Sequence, residues 1–461
     1  MFSVKELLQA TGGTLLQGDC TKSIKGISTD SRTIRRRELF IPLIGDNFDG
    51  HRFIATAQRK AASGVMTQKR IPRGLPKDFI VIKVDDTLKA LGDIARFHRK
   101  RFSIKVIAIT GSNGKTTTKD MVASILKKRY NVLKTEGTKN NQIGVPLTLL
   151  RLRKHHDVAV LELGTNQQGE IKQLASICLP DSGVITNIGL SHIEFLKNAQ
   201  GVYREKIDLF KSMRKGSQIV FNYDDPLLKK AKSLFRNRHA LHTFGYSDGC
   251  DFQVTKVIKN ASVISFQMNK RTRIDLKTTA AHNIYNALAA ICCARIMKVG
   301  YETIYNALRS FTFPAGRFTK AYVNGVTVID DTYNSNPASL QSAIDALAAY
   351  RQGRKVLVCA DMLELGRSAK KLHFDIGKRV AVSGIDMLVT VGNLSRLIAE
   401  GARTCNSSAM KIYHCCSHKD ALDRLSGRLG NNDAILVKGS RSMHMEKVID
   451  ALKHNITTFM R

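Results

Sequence analysis

Short apolar runs alternate with stretches of helical spacing over most of the chain. The first strong run, residues 104–110, leads into a glycine turn and then a helix-like pattern over 118–128. Further runs follow at 158–161, 183–186 and 219–221, with helical patterns between them. Such alternation predicts a mostly parallel sheet covered by helices. A more polar, strand-rich stretch, 252–276, interrupts it, and a long helix-like segment spans 282–298. Pro314-Ala315-Gly316-Arg317 reads as a hinge. Beyond it the pattern restarts, with strands at 326–329, 355–360, 386–391 and 434–437 and a helix over 337–350. That predicts a second, Rossmann-like α/β unit with ligand loops at the carboxyl ends of its strands. Ahead of the main sheet, residues 1–83 carry short elements broken by turns, and 85–101 reads as a connecting helix. We therefore expect an α/β protein of three domains, at 1–83, 84–314 and 315–461.

The turn after the first apolar run is Gly111-Ser112-Asn113-Gly114-Lys115-Thr116-Thr117. Strand, glycine loop and helix in that order form the context of a phosphate-binding loop. The glycines let the backbone turn its amides toward phosphate oxygens, and the helix N-terminus adds partial positive charge. Lys115 is placed for the terminal phosphates and the Thr116 hydroxyl for Mg²⁺. The spacing is looser than the strict motif, since Ile109 stands where the first glycine belongs. The central domain is thus expected to be a P-loop-type ATPase sheet. Glu162 ends one apolar run, a position suited to holding Mg²⁺ beside a phosphate loop. His192 and Glu194 follow another, and Lys206 comes a short helix later.

Composition narrows the class. Hydrophobic residues make up 43% of the 461 and charged residues 24%, as in ordinary globular proteins. No apolar run reaches the ~18 residues of a membrane span. The N-terminus lacks the unbroken apolar core of a secretion signal, so a cytoplasmic protein is expected. The nine cysteines include no Cys-x-x-Cys, and two pairs are adjacent, which suits reduced thiols rather than disulfides or zinc. The net charge of +35 draws anions. The basic residues are dispersed without interleaved aromatics, so a solvated basic surface is favoured over specific nucleic-acid binding.

The motif order resembles the Mur ligase family of ATP-dependent amide-bond-forming enzymes over nearly the whole chain. The first segment supplies Ser28-Thr29-Asp30-Ser31-Arg32 and Gly45-Asp46-Asn47-Phe48-Asp49-Gly50-His51. The middle adds the phosphate loop, Lys139-Asn140-Asn141-Gln142, Leu161-Glu162-Leu163-Gly164, Ser191-His192-Ile193-Glu194 and His282-Asn283-Ile284-Tyr285-Asn286. The last holds Gly316-Arg317, Asp330-Asp331-Thr332-Tyr333-Asn334-Ser335-Asn336-Pro337 and Asp361-Met362-Leu363-Glu364-Leu365-Gly366. These final blocks resemble the family member that adds D-alanyl-D-alanine. The Asp-Asn-Pro-Arg block usual in the member that adds the third residue is absent.

The resemblance implies a first domain that binds the uridine nucleotide of UDP-N-acetylmuramoyl-tripeptide, through Ser28, Asp30, Ser31, Arg32, Asn47, Asp49 and His51. It implies ATP held by Gly111 to Thr117 with Asn140 and Asn141, and adenine contacted by Asn286. Arg317 and Asp331 would reach the phosphates and ribose from the third domain. Mg²⁺ would be held by Thr116, Glu162, His192 and Lys206, the last as a carbamate. Lys115, His192, Lys206 and Arg317 are the implied catalytic groups. Asn334, Asn336 and Asp361 would face D-alanyl-D-alanine. The implied reaction activates a carboxylate as an acyl phosphate before amine attack, and the implied state is a monomer. Four departures stand out. The run Glu194-Phe195 lacks the glycine often found after that Glu. The run at the modified lysine is Glu205-Lys206-Ile207-Asp208 rather than Ala-Lys-Gly-Glu. Ala280 and Ala281 occupy the place where a glycine is common. Arg37 stands where a turn glycine usually precedes Glu38-Leu39-Phe40. The competing readings are another Mur-type ligase adding an amino acid, and a basic ATP-binding module for nucleic acid. Folylpolyglutamate synthase lacks the first-domain motifs.

Overall fold

The computed structural model describes residues 1–71, 74–260, 262–405 and 410–460. Its centre is a nine-stranded sheet. Strand Lys105–Thr110 lies between Val158–Glu162 and Ser182–Ile185, parallel to both, and the sheet continues through Gln218–Asn222 and Ala240–Gly245. Alternate side chains of Lys105–Thr110 feed two cores, as the period of two requires. Ile107 and Ile109 pack with Met121, Val122 and Ile291 on one face. Val106 and Ala108 pack with Ala95, Leu174 and Leu209 on the other. Burial on both faces is why such strands read as unbroken apolar runs.

The polar stretch expected to interrupt this sheet instead extends it. Phe252–Lys259, Ile264–Met268 and Thr272–Leu276 form its far end, the last two pairings antiparallel. Val254, Phe266 and Ile274 face the core, while Lys256, Lys259 and Arg273 are exposed. A sheet covered on one side alternates polar and apolar residues, which is what made this segment look foreign.

The first domain is a five-stranded sheet whose parallel strands include Gly26–Ser28, Glu38–Phe40 and Gly64–Thr67. Helix Thr87–Lys100 joins it to the centre: Leu91 and Ile94 enter the first-domain core, Ala95 the central one. The Asp86 carboxylate caps this helix through the Leu88 and Lys89 amides. The third domain is a six-stranded sheet, parallel except for its edge strand Thr319–Val323. It docks on the middle domain through one apolar cluster that includes Ile193, Leu196 and Ala280 with Phe318, Met362 and Leu365. All nine cysteines are free thiols, five of them buried. No helix among the described residues is long and apolar enough to cross a membrane.

Candidate active site

A cleft of about 480 Å³ opens where the carboxyl ends of the central strands meet the third domain. Its floor is the phosphate loop. Gly111 and Gly114 have φ of 147° and 80°, and a Cβ on either would collide with Thr186 or Asn286. Asn187 braces the loop: its backbone and side-chain oxygens accept the Ser112 and Asn113 amides, both at 3.0 Å. Helix Lys115–Leu126 starts at Gly114 without a side-chain cap. Its first amides therefore have no intrahelical acceptor and suit an anion. Lys115 Nζ folds back onto the Gly111 carbonyl at 2.9 Å.

Around this floor stand the charged groups. Glu162 is buried at its strand end; Oε1 accepts from Asn140 Nδ2 at 2.7 Å, while Oε2 has no hydrogen-bond partner. Lys119 Nζ lies 4.0 Å from Oε2. Lys206, on helix Ala199–Ser212, is 1% exposed. Burial, with the Lys115 charge second, holds its amine well below the ordinary 10.5. His192 lines the cleft, and its Nδ1 pairs with the Glu364 carboxylate of the third domain. That hydrogen bond holds the Glu364 carboxyl below its usual 4.5.

The third domain contributes more. Arg317 Nη2 donates to Thr116 Oγ1 at 3.0 Å, with its guanidinium 3.8 Å from the Tyr333 ring centre. Asn336 Nδ2 donates to Asn113 Oδ1 at 2.8 Å. Asp331 accepts from buried Lys438 Nζ at 2.6 Å. An anion-binding turn, an unsatisfied buried carboxylate and a cross-domain arginine suit transfer of a phosphoryl group.

Comparison with known proteins agrees. The description "Mur ligase family, catalytic domain" matches residues 23–99, "Mur ligase middle domain" 109–294, and "Mur ligase, glutamate ligase domain" 316–441. The UDP-N-acetylmuramoyl-tripeptide–D-alanyl-D-alanine ligase of Bacillus subtilis is 34% identical over 98% of both chains. The chain belongs to the Mur ligase family. The same-named ligase of Escherichia coli is 32% identical over 99% of both chains. A crystal structure of MurF from Acinetobacter baumannii superposes with a TM-score of 0.90 at 31% identity, covering 98% of this chain and 99% of that one. MurF ligase from Thermotoga maritima in complex with ADP gives 0.84 at 26% identity, covering 94% and 98%.

In this Mur ligase the cleft gathers Ser112 to Thr117, Asn140, Glu162, His192, Asn286, Arg317, Asp331, Asn334 and Asn336. Some expected residues sit outside it, and some within it are held by protein partners. Asn141 turns away from it, its Oδ1 accepting the Ile143 and Gly144 amides to start helix Gly144–Leu149. Asp361 turns into its own domain, where its carboxylate accepts the Ser395 amide at 2.7 Å and abuts Gly392. Asn286, expected at adenine, lines the cleft beside the Gly114 turn with its carboxamide on Thr118 and Asn283. Asn336, expected at the dipeptide, is committed to Asn113 and to capping helix Pro337–Ala348. Lys206 backs the cleft rather than lining it.

The first-domain residues line none of that cleft. They occupy loops leaving the same carboxyl end of the small sheet, where the Ile41 amide bonds the Ser28 carbonyl. Arg32 pairs with Asp30 at 2.8 Å, and the Ser28 hydroxyl accepts the Asp30 amide; Ser31 is buried beside them. Asp49 is held far below its usual value by Lys69 and by the His51 backbone and ring. His51 is nearly buried, with an unpartnered Nε2, while Asn47 stays exposed at the hairpin tip. Glu364 was expected only as part of the Asp361 block facing D-alanyl-D-alanine, and no role was expected of Lys438 or Glu205. Glu205 anchors the start of helix Glu170–Cys178 through the Gly169 and Ile171 amides.

Proposed function

We propose that this Mur ligase joins D-alanyl-D-alanine to UDP-N-acetylmuramoyl-tripeptide, converting ATP to ADP and phosphate and completing the pentapeptide precursor of peptidoglycan. The activity is the one named in its end-to-end relatives from B. subtilis and E. coli. The observation that carries the mechanism is Arg317 of the third domain on the Thr116 hydroxyl of the phosphate loop. That contact supports a positive charge from the third domain acting where the phosphoryl group is transferred.

The tripeptide's terminal carboxylate attacks the γ-phosphorus, giving an acyl phosphate and ADP. The dipeptide amine then adds to the activated carbonyl, and the tetrahedral intermediate expels phosphate. The Lys115 to Thr117 amides and the Lys115 ammonium hold the phosphates, and Arg317 offsets charge on the transferred group. Asn286 would contact the base, with Asn222, Asp224, Asn283 and Tyr285 lining the same cleft. Asp331, set by Lys438, serves the ribose, and Asn334 faces the dipeptide. Ser28 to Arg32 and Asn47 to His51 hold the uridine nucleotide in the first domain. The enzyme works as a cytoplasmic monomer.

Glu162 Oε2, without a hydrogen-bond partner, lines the same cleft as Thr116 and suits Mg²⁺, a hard cation that prefers oxygen ligands. Thr116 and Glu162 would hold one ion. His192, with Lys206 as a carbamate, would hold a second. Bound Mg²⁺ supplies positive charge against the phosphate oxygens. A neutral buried amine at Lys206 is the form that reacts with CO₂, and a carbamate would turn that amine into an anionic ligand.

The test is to incubate the protein with ATP, Mg²⁺, UDP-muramoyl-tripeptides and either D-alanyl-D-alanine or single amino acids, and to weigh the product. ADP with a pentapeptide product is expected. Transfer of a single amino acid, with none of the dipeptide, overturns the assignment.

A further inference from the structure

The loop after strand Lys355–Ala360 splits its two acidic residues. Asp361 turns inward to Ser395, whereas Glu364 projects toward the middle domain. Its carboxylate takes His192 Nδ1, and its carbonyl accepts the Glu194 amide at 3.1 Å. A Cβ on Gly366 would lie 3.1 Å from Glu194 Cα, so the two loops are in close backbone contact. Met362 and Leu365 pack in the same apolar cluster as Ile193 and Leu196 beneath the polar contact. His192 and Glu364 both have left-handed backbones, with φ of 55° and 61°. Non-glycine residues rarely adopt that region, and it persists where surrounding contacts enforce it. Each loop here is part of what enforces the other.

A neutral imidazole carries one N–H, and the hydrogen bond made by one nitrogen decides the state of the other. With a carboxylate on Nδ1 the proton resides there. In the neutral ring Nε2 then keeps its lone pair; it makes no hydrogen bond among the described residues, and the ring lines the cleft. We infer that Glu364 is a positioning residue: docking of the third domain sets its carboxylate on His192 Nδ1, so that Nε2 is presented to the cleft as a lone pair only in the closed enzyme. Closure thereby completes the middle-domain site as well as covering it. The inference rests on the reading of His192 as a site residue.

Glu364→Ala and Glu364→Gln separate positioning from bulk structure, because Gln retains an acceptor for Nδ1–H. In ¹⁵N-histidine spectra of the full chain, the His192 signal is assigned by its loss in His192→Ala. Wild type and Glu364→Gln should show the Nδ1–H tautomer, and Glu364→Ala should lose it. Turnover should fall roughly 10- to 100-fold in Glu364→Ala, the usual range for loss of a group that orients a metal-binding histidine. ATP KM should change little, and Glu364→Gln should recover most of the rate. An unchanged tautomer and rate in Glu364→Ala overturns the inference. So does equal impairment of the Ala and Gln variants. If His192→Ala is impaired while Glu364→Ala is normal, the inference alone fails. If His192→Ala also turns over normally, the reading of His192 fails with it.

Discussion

Asn336 donates its side-chain N–H to the Asn113 carboxamide, 2.8 Å away in the phosphate loop, while its Oδ1 caps helix Pro337–Ala348 through the Ser339 amide. One side chain thus starts a helix of the third domain and ties that helix to the nucleotide loop. The two roles can be separated. Asn336→Ala removes both and should cost about 1 kcal/mol of stability through the lost cap. Asn336→Ser keeps a capping oxygen but cannot span to Asn113. It should melt like wild type yet turn over more slowly and show less compaction in scattering with substrates bound. A Ser variant with wild-type rate would remove the Asn113 contact from the closing mechanism.

Arg317 offers a sharper kinetic test. Its guanidinium stacks on Tyr333 while donating to Thr116, a combination of planar stacking and directed N–H that lysine cannot reproduce. Arg317→Ala should lower kcat by roughly 10³-fold, at the low end for an arginine that stabilises phosphoryl transfer. Arg317→Lys should recover little of it. ADP release gives the rate, and thermal melts of both variants should stay near wild type. Lys115→Ala, which removes the phosphate-binding cation itself, should abolish turnover.

Lys206 is buried near the charge of Lys115 and makes no ion pair within 4 Å among the described residues, an unstable arrangement for two ammonium groups. Lys206→Ala should be severely impaired, with partial rescue by short carboxylic acids that fill the space with an anionic oxygen. Rescue is read as ADP formed against acid concentration. Absence of rescue removes the support for a carbamate and leaves the lysine a positioning role.

How much of this was readable from the chain depends on how local each feature is. The phosphate loop was, because strand, Gly111, Gly114 and Lys115 to Thr117 are consecutive and their chemistry follows from backbone geometry alone. The start of helix Pro337–Ala348 was too, since Asn before Pro is a helix-entry pattern. The partners of Asn336 and Glu364 were not, because they belong to another domain and depend on how two rigid sheets dock. Asp361 and Asn141 misled for a related reason: a polar residue in a motif loop can serve the loop's own amides instead of a ligand. The segment Phe252–Leu276 misled because burial on one face mimics a break in the sheet.

The arginine in place of a turn glycine has a measurable consequence. Arg37 has a φ of 70°, its amide donates to the Ala61 carbonyl, and its carbonyl accepts the Lys25 amide. The backbone has kept the glycine conformation without the glycine. Left-handed geometry costs a side-chain-bearing residue about 1–2 kcal/mol, while glycine costs about 0.5–1 in unfolded-state entropy. Arg37→Gly should therefore gain about 0.5–1 kcal/mol, seen as a higher unfolding midpoint with unchanged activity. A lower midpoint would mean that the Arg37 side chain contributes more than its strain removes.

His98 should make stability depend on pH in a defined direction. It sits on the shared helix Thr87–Lys100 between Phe2 and Phe102, with ring centres 5.3 and 4.9 Å away. Its Nε2 meets the Leu152 carbonyl at 3.2 Å and its Nδ1 has no partner. Burial pulls its pKa from 6.5 to about 4; the Leu152 hydrogen bond opposes this, and Arg101, the N-terminal ammonium and Arg153 add to it. Below pH 6.5 the unfolded chain therefore binds a proton that the folded chain refuses, so stability is full above that value and falls as pH drops toward 4. The loss attributable to this one group is on the order of 3 kcal/mol. His98→Gln keeps a donor for Leu152 and cannot titrate. Urea unfolding at pH 7 and near pH 4 should show the wild type losing ground to the variant by that amount. A difference between the two proteins that is the same at both pH values would mean that His98 is protonated equally in both states.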